Sequence, residues 1–396
     1  MKNKLSFIIG IILASVSVSS LTSCQKDSKW PNFGKEIRFT VNSGNAVTKA
    51  AYSGEIGGGK ERIDWQAGDL IRIYCEQASE PDDKFADYKV SSVETPVEGS
   101  AISTAHIEGT GGVGLRWGEG DHVFYSAFPS PVTGGVTKTI IGKDVTASLA
   151  ATQAVTAVRN SGFVYTADPD LKNMLMTAKT ICPEENLSDG EMVSLSFTPL
   201  TTAVQFTITN QSKEDLNLKS VSLTSASSAL NGDFTVDIDD LSHQPESVNL
   251  GNTTISYSAT YPYCQLSGSV TEVRKTVAIN FSETVSLVYD EDIAKCGSLT
   301  FTFFLQPCQN FNDLTFKLTK SDNSWLSTRL GYTDGTGIIF PMFKKSSVTG
   351  ILVPEGAQWT VKYGSAGADA VTTVISWDTG VTDELDLENP YGARVY

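Results

Sequence analysis

"MVSLSFTPLTTAVQFTITN", residues 192–210, decides the fold. Val204, Phe206 and Ile208 alternate with Gln205 and Thr207, which gathers the apolar side chains on one face at a period of two. A helix of 3.6 residues per turn would scatter them around its axis, whereas a strand with one side buried needs this spacing. The same alternation recurs along the chain. Ile37, Phe39 and Val41 flank Arg38 and Thr40; Ile71, Ile73 and Cys75 flank Arg72 and Tyr74; Leu314, Phe316 and Leu318 flank Thr315 and Lys317. Lys275 to Tyr289 and Ser298 to Leu305 are longer runs rich in Val, Ile, Phe and Thr. Clusters of Gly, Asn, Asp, Ser and Pro separate these runs at short intervals, and no stretch of 12 residues keeps a clean helical period. The reading is an all-β chain built as antiparallel sandwiches.

The leader is of another kind. Lys2 and Lys4 precede an apolar run from Leu5 to Val18, and small or polar residues follow up to Ser23. This is an export signal, and its apolar run falls well short of the ~20 residues needed to span a bilayer. Leu21-Thr22-Ser23-Cys24 resembles the bacterial lipobox, whose cysteine thiol is acylated and becomes the mature N-terminus. Three acyl chains there would grip a membrane far more firmly than one. Gln25 rather than Asp after the cysteine favours, by analogy with other diderm lipoproteins, the outer membrane.

Removing the leader with Lys2 and Lys4 takes the formal charge from -15 to -17, which repels nucleic acid and anionic membrane surfaces. About 370 mature residues exceed what one core supports and imply two domains. "NLSDGE", residues 186–191, breaks the strand pattern and sets the expected boundary: a first sandwich over 35–188 and a second over 189–396, after a signal at 1–23 and a linker at 24–34. The last residues, "DTGVTDELDLENPYGARVY", form an acidic tail. Beyond Cys24, the scattered Cys75, Cys182, Cys264, Cys296 and Cys308 give neither a disulfide framework nor zinc spacing and read as mostly buried free thiols.

Catalytic material is sparse. His106, His122 and His243 read as surface or packing residues, and no Gly-x-Ser-x-Gly elbow accompanies them. "GEIGGGKE", residues 54–61, approaches a phosphate loop but places Glu61 where a hydroxyl belongs. The acidic runs Asp233 to Asp240 and Tyr289 to Asp292 lack the spacing of a calcium loop and read as solvated turns. Tyr261 and Tyr263 read as packing aromatics, with stacking on sugar rings as the alternative. No cofactor or metal is implied, and the chain does not read as an enzyme.

Several phrases taken together resemble the fimbrillin family of Bacteroidales, the type V pilins and pilus-associated two-domain lipoproteins. They are "ERIDWQAGDLIRIY" with Trp65, Gly68 and Asp69, "FYSAFP" ending at Pro129, "NMLMTA" around Leu175, "LSFTPLTTAVQFTITN", and "SSVTGILVPEGAQWTVKY" with Gly350, Pro354 and Trp359. The resemblance implies two transthyretin-like sandwiches, export as an outer-membrane lipoprotein, and residence in or on a fimbrium that serves adhesion. It further implies that a trypsin-like protease removes the lipidated segment with the first strand, and that another subunit supplies a replacement strand. Carried onto this sequence, "KEIRFTV" is the strand to be lost and Lys49-Ala50 the cleavage point, with lysine where the family commonly has arginine. The strand to be donated is "AVTTVISW", residues 370–377, with Val371, Val374, Ile375 and Trp377, or this segment is a permanent strand of the second sandwich. Partners on this reading are other fimbrial subunits, the outer membrane through the lipid, and the protease. The alternative is a permanently lipid-anchored surface module that binds glycan or host protein.

Overall fold

A computed structural model of the chain describes residues 32–43, 63–97, 100, 102–183, 191–243, 247–249, 254–255, 260–332, 336–363, 369–371 and 375–381. Cys24, Lys49, Ala50 and Val374 lie outside the described residues, as do the export signal and most of the acidic tail. Among the described residues there are 28 strands and a few 3-10 turns. The first seven strands are β1 (Phe39–Asn42), β2 (Leu70–Tyr74), β3 (Phe85–Val93), β4 (Thr104–Gly109), β5 (His122–Phe128), β6 (Thr137–Ile141) and β7 (Asp144–Leu149). Next come β8 (Thr152–Val155), β9 (Ala157–Ser161), β10 (Val164–Ala167), β11 (Met176–Cys182), β12 (Val193–Ser196), β13 (Thr198–Pro199) and β14 (Thr202–Asn210). They are followed by β15 (Leu216–Ser225), β16 (Gly232–Asp237), β17 (Val248–Asn249), β18 (Thr254–Ile255), β19 (Tyr263–Leu266), β20 (Thr276–Leu287) and β21 (Ser298–Leu305). The last are β22 (Leu314–Lys320), β23 (Ser324–Arg329), β24 (Lys345–Val353), β25 (Gly356–Tyr363), β26 (Asp369–Val371), β27 (Ile375–Ser376) and β28 (Asp378–Val381).

The alternation read from the sequence sets burial as expected. Val204, Phe206 and Ile208 of β14 are fully buried, while Gln205 and Thr207 between them are partly exposed. The turn residues also act as their chemistry dictates. Gly68 adopts φ +97°, which only glycine tolerates cheaply, and the Gln66 amide donates to Asp69 Oδ2 at 2.9 Å just before β2 begins. β24 stops at Val353, ahead of Pro354, and β25 runs back along it from Gly356. Gly350 lies opposite Trp359 in that pair, and a Cβ at Gly350 would overlap the indole.

Two apolar cores result. In the first, one sheet runs in the order β12-β1-β4-β3-β2-β5-β11-β13. β12 and β13 are a single strand interrupted at Phe197; its first half pairs with β1 and its second half with β11. The sheet therefore closes on itself into a ring. A smaller sheet, β19-β16-β7-β6, packs beside it and brings Phe234, Val236 and Ile140 into the same core. The second core lies between the sheet β26-β25-β24-β14-β21-β10-β9 and the sheet β28-β23-β22-β15-β20-β8. At its centre Phe206 stacks on Phe301 (5.5 Å) and Phe316 (4.9 Å), and Trp359 stands edge-on to Phe206 and Phe316. Such pairs add about 0.5–1.5 kcal/mol each beyond area burial.

The pairing crosses the 188/189 position in both directions. β8 and β10 of the leading half join β20 and β21 in the second core, while β12, β13, β16 and β19 of the trailing half join the first. Most pairs are antiparallel, as expected, but β1–β12, β10–β21, β14–β24 and β8–β20 are parallel. Each parallel pair unites strands remote in sequence, because a parallel connection needs a crossover that a tight turn cannot supply. Alternation reports which face is buried and carries no information on direction.

Candidate functional site

The seam that β1 closes is the most specific feature of the first core. Ile37, Phe39 and Val41 point inward at 1% exposure or less. Phe39 stands edge-on to Tyr88 (5.1 Å) and Phe124 (5.2 Å), which places an aromatic at the centre of the ring's interior. β1 runs antiparallel to β4, with Phe39 opposite Ile107 and Val41 opposite Ala105. Along its other edge it runs parallel to β12, where the amides of Val193 and Phe197 donate to the carbonyls of Arg38 and Asn42, each at 2.9 Å.

Both ends of the strand are clamped. The Ile37 amide donates to Leu115 O at 2.8 Å, the Trp117 amide to Lys35 O at 2.9 Å, and Arg116 Nη1 to Gly34 O at 2.8 Å. At the far end Asn42 Nδ2 donates to Ser194 Oγ (2.8 Å), and Thr104 Oγ1 donates to Asn42 Oδ1 (2.9 Å), so one side chain ties both neighbours together. The buried Ser43 and Ser103 complete the clamp: the Ser43 amide donates to Ser103 O, and the Ser103 amide to Ser43 Oγ. Tyr88 OH accepts from the Leu115 amide at 2.7 Å, and burial holds its phenol well above the ordinary tyrosine range. Lys35 and Arg38 have exposed side chains, but their carbonyls are engaged in these ladders, which denies a protease the unpaired extended backbone it binds.

At the other terminus the structure pairs the described part of Ala370–Trp377 within its own chain. β26 and β27 both lie along β25, and β28 crosses to pair with β23 in the opposite sheet. Trp377 is partly buried against the second core, its Nε1 donating to Val353 O at 2.9 Å and its amide to Glu355 O at 3.2 Å. Ile375 packs there too, and Val371 belongs to β26.

The other residues that the sequence singles out make contacts within the chain. His122 is fully buried, with Nε2 accepting from the Gly118 amide (3.0 Å) and Nδ1 donating to Gly120 O (2.7 Å), an arrangement only the neutral ring makes. His106 pairs with Glu94 at 3.2 Å on the surface. His243 Nδ1 faces both Asp240 Oδ2 and Ser242 Oγ at 3.0 Å; a relay needs a different ring nitrogen for each partner, so this cluster is a turn. In the Asp233 to Asp240 run, Asp237 accepts from Lys143 at 2.7 Å and Asp239 from Lys179 and Tyr125 at 2.6 and 2.7 Å, so lysines take the place a cation would need. Among the described residues no three His, Cys, Asp or Glu side chains converge. Tyr261 is buried and stacks on Phe343 at 4.6 Å. Cys75, Cys182, Cys264, Cys296 and Cys308 are all free. No described helix is long and apolar enough to cross a membrane.

His122 gives a pH expectation with a definite sign. Burial pushes its pKa below the ordinary 6.5, so below pH 6.5 the unfolded chain binds a proton that the folded chain resists. Its contribution is complete above pH 6.5 and is lost as the pH falls through and below that value. Urea midpoints between pH 7.5 and 5 should fall for the native protein, at no more than about 1.4 kcal/mol per pH unit for one group. His122→Gln should remove that component of the slope. An unchanged slope would mean that His122 does not carry it.

What the sequence missed is the partner of β1. Leu195 and Phe197 are apolar in alternation and read only as a strand, and nothing local says that this strand lies parallel to residues 39–42.

The chain matches no family model and no curated protein. Solved structures match over most of its length at low identity. A proposed cell adhesion protein from Bacteroides uniformis is 12% identical, covering 84% of this chain and 98% of its own, with a TM-score of 0.41. Another from Bacteroides fragilis is 11% identical over 88% of this chain and 99% of its own, again at 0.41. A fimbrial assembly protein from Parabacteroides distasonis is 10% identical over 86% of this chain and 99% of its own, at 0.34.

Proposed function

We propose that the protein is a fimbrial subunit or fimbrium-associated protein of the cell surface, a structural component in adhesion rather than an enzyme. On this reading it is exported as an outer-membrane lipoprotein acylated on Cys24. A trypsin-like protease then cuts at Lys49-Ala50, and a strand of a neighbouring subunit takes the seat that β1 vacates. The observation that carries the reading is the position of β1: the first described strand of the chain is also the strand whose removal opens a closed ring. Its loss would leave β4 and β12 with unpaired backbone groups and an apolar slot between them, a template for another strand. The proposed cut at Lys49-Ala50 lies outside the described residues; at the alternative basic positions, Lys35 and Arg38, the backbone carbonyls are tied into ladders.

A second reading, a permanently lipid-anchored binding module, draws on the completeness of the same clamp, which makes the untrimmed ring a finished structure. It also draws on a surface groove of about 310 Å³ beside β1, lined by Arg38, Ser91, His106 and Met192 among others. Mass spectrometry of the N-terminus of cell-surface material separates the two readings. A polypeptide beginning at Ala50 in heat-stable ladders supports the fimbrial reading, and acylated Cys24 on a monomer supports the anchor.

A further inference from the structure

We infer that the seat of β1 is keyed by an aromatic at its centre, and that the strand it fits comes from a different polypeptide carrying aliphatic-x-Phe-x-aliphatic-x-Ser. This rests on the proposed strand replacement and names its partner. The inward positions of the resident segment are Ile37, Phe39, Val41 and Ser43, all buried. The central ring sits between the edges and faces of Tyr88 and Phe124, and Phe124 is itself braced by Trp117 at 6.0 Å. An interior packed this densely resists both a smaller and a larger guest. The fourth position is polar for a reason: Ser43 Oγ is the acceptor for the buried Ser103 amide, which an aliphatic residue would orphan.

This chain's own trailing segment fits poorly. In matching phase it offers Ile375, Trp377, Thr379 and Val381. Trp377 exceeds the phenylalanine seat, Thr379 brings a hydroxyl where Val41 is apolar, and Val381 provides no acceptor for Ser103. Donation would also strip β28 from β23 and break the two hydrogen bonds that hold Trp377. The tail beyond Val381 places Leu385 and Leu387 in phase with Asn389, and puts its aromatic Tyr391 ahead of Ala393 and Val395 rather than between two aliphatics. A second copy therefore carries the matching pattern only in its own β1, which trimming removes.

The test uses the whole mature chain with a specific protease site engineered at residues 48–51 and cut in the folded state, so that the β1 fragment remains in its seat. Fluorescent peptides are then exchanged into the nicked protein and their binding is read by anisotropy: residues 36–43, the same peptide with Phe39→Ala, and residues 375–381. The native peptide should enter, the Phe39→Ala peptide should bind about 100-fold or more weakly, and the trailing peptide at least about 10-fold more weakly. Equal binding of the trailing peptide, or of Phe39→Ala, overturns the keyed seat while leaving strand replacement intact. Failure of the native peptide to enter, with cutting verified, overturns strand replacement itself.

Discussion

Starting the chain at Ala50, without residues 24–49, should abolish the cooperative unfolding of the first core while the second core retains its own transition. Ile37, Phe39 and Val41 each contribute roughly 1.5–3 kcal/mol by burial, about 5–9 kcal/mol together. That is comparable with the whole net stability of a domain, about 5–15 kcal/mol. The loss goes beyond area. Asn42 and Ser43 leave with the strand, so Thr104, Ser194 and the Ser103 amide lose their partners. Two transitions are expected of the intact protein, one for each core; calorimetry of the truncated form should show the first broadened or missing, and an apolar dye should bind it. Adding the peptide of residues 36–43 should restore the lost transition. An intact first transition in the truncated protein would mean that the ring does not depend on β1, and the proposed assembly would fail with it.

The second core offers no such release at its leading side. β8 and β9 are separated only by Thr156, yet β8 belongs to one sheet and β9 to the other, so one strand folds over the edge of the sandwich. Gln153 strengthens that corner by mimicking a ladder rung: its amide donates to Phe304 O at 2.7 Å and accepts from the Phe304 amide at 3.1 Å. β27 and β28, divided by Trp377, fold over the opposite edge in the same way. Both cores are closed by strands that change partner midway, as β12 and β13 do in the ring. Covered edges suppress adventitious pairing, and uncovering one of them is what would turn suppression into assembly.

Strand existence was legible because alternation is local: the phase of Val204, Phe206 and Ile208 alone tells which side chains are buried. The turn chemistry of Gly68-Asp69 and Pro354 was legible for the same reason. Pairing was not, because it depends on contacts far apart in sequence. Phe39 meets Val193 across 154 residues of chain, and Gln153 reaches Phe304 across 151. The exchange of β8, β10, β16 and β19 between the two cores likewise leaves no mark on composition near residue 188. The seam itself was half legible: the alternation of Ile37, Phe39 and Val41 identified a strand, but the clamp made by Asn42, Ser43 and Ser103 consists of small polar residues that look like any turn.

Phe206→Ala should produce the complementary result, a large loss confined to the second core. Its ring stacks on Phe301 and Phe316 and meets Phe303 and Trp359 edge-on, so four aromatic neighbours would line the vacated space. Large aromatic-to-alanine changes in a core cost about 3–5 kcal/mol, because stiff aromatic walls collapse little. For a unit of this size that lowers the midpoint of its transition by about 10 °C. Thr207 is the internal control: it neighbours Phe206 on the same strand but faces the other way, where its hydroxyl meets Thr300 Oγ1 at 3.0 Å. Thr207→Ala should cost under about 1 kcal/mol. Phe39→Ala, examined beside them, should depress the first transition by a similar amount and leave the second in place. A single transition that shifts equally for Phe39→Ala and Phe206→Ala would mean that strand exchange across position 188 has fused the cores into one cooperative unit, and releasing β1 would then destabilise the whole chain rather than open one seat.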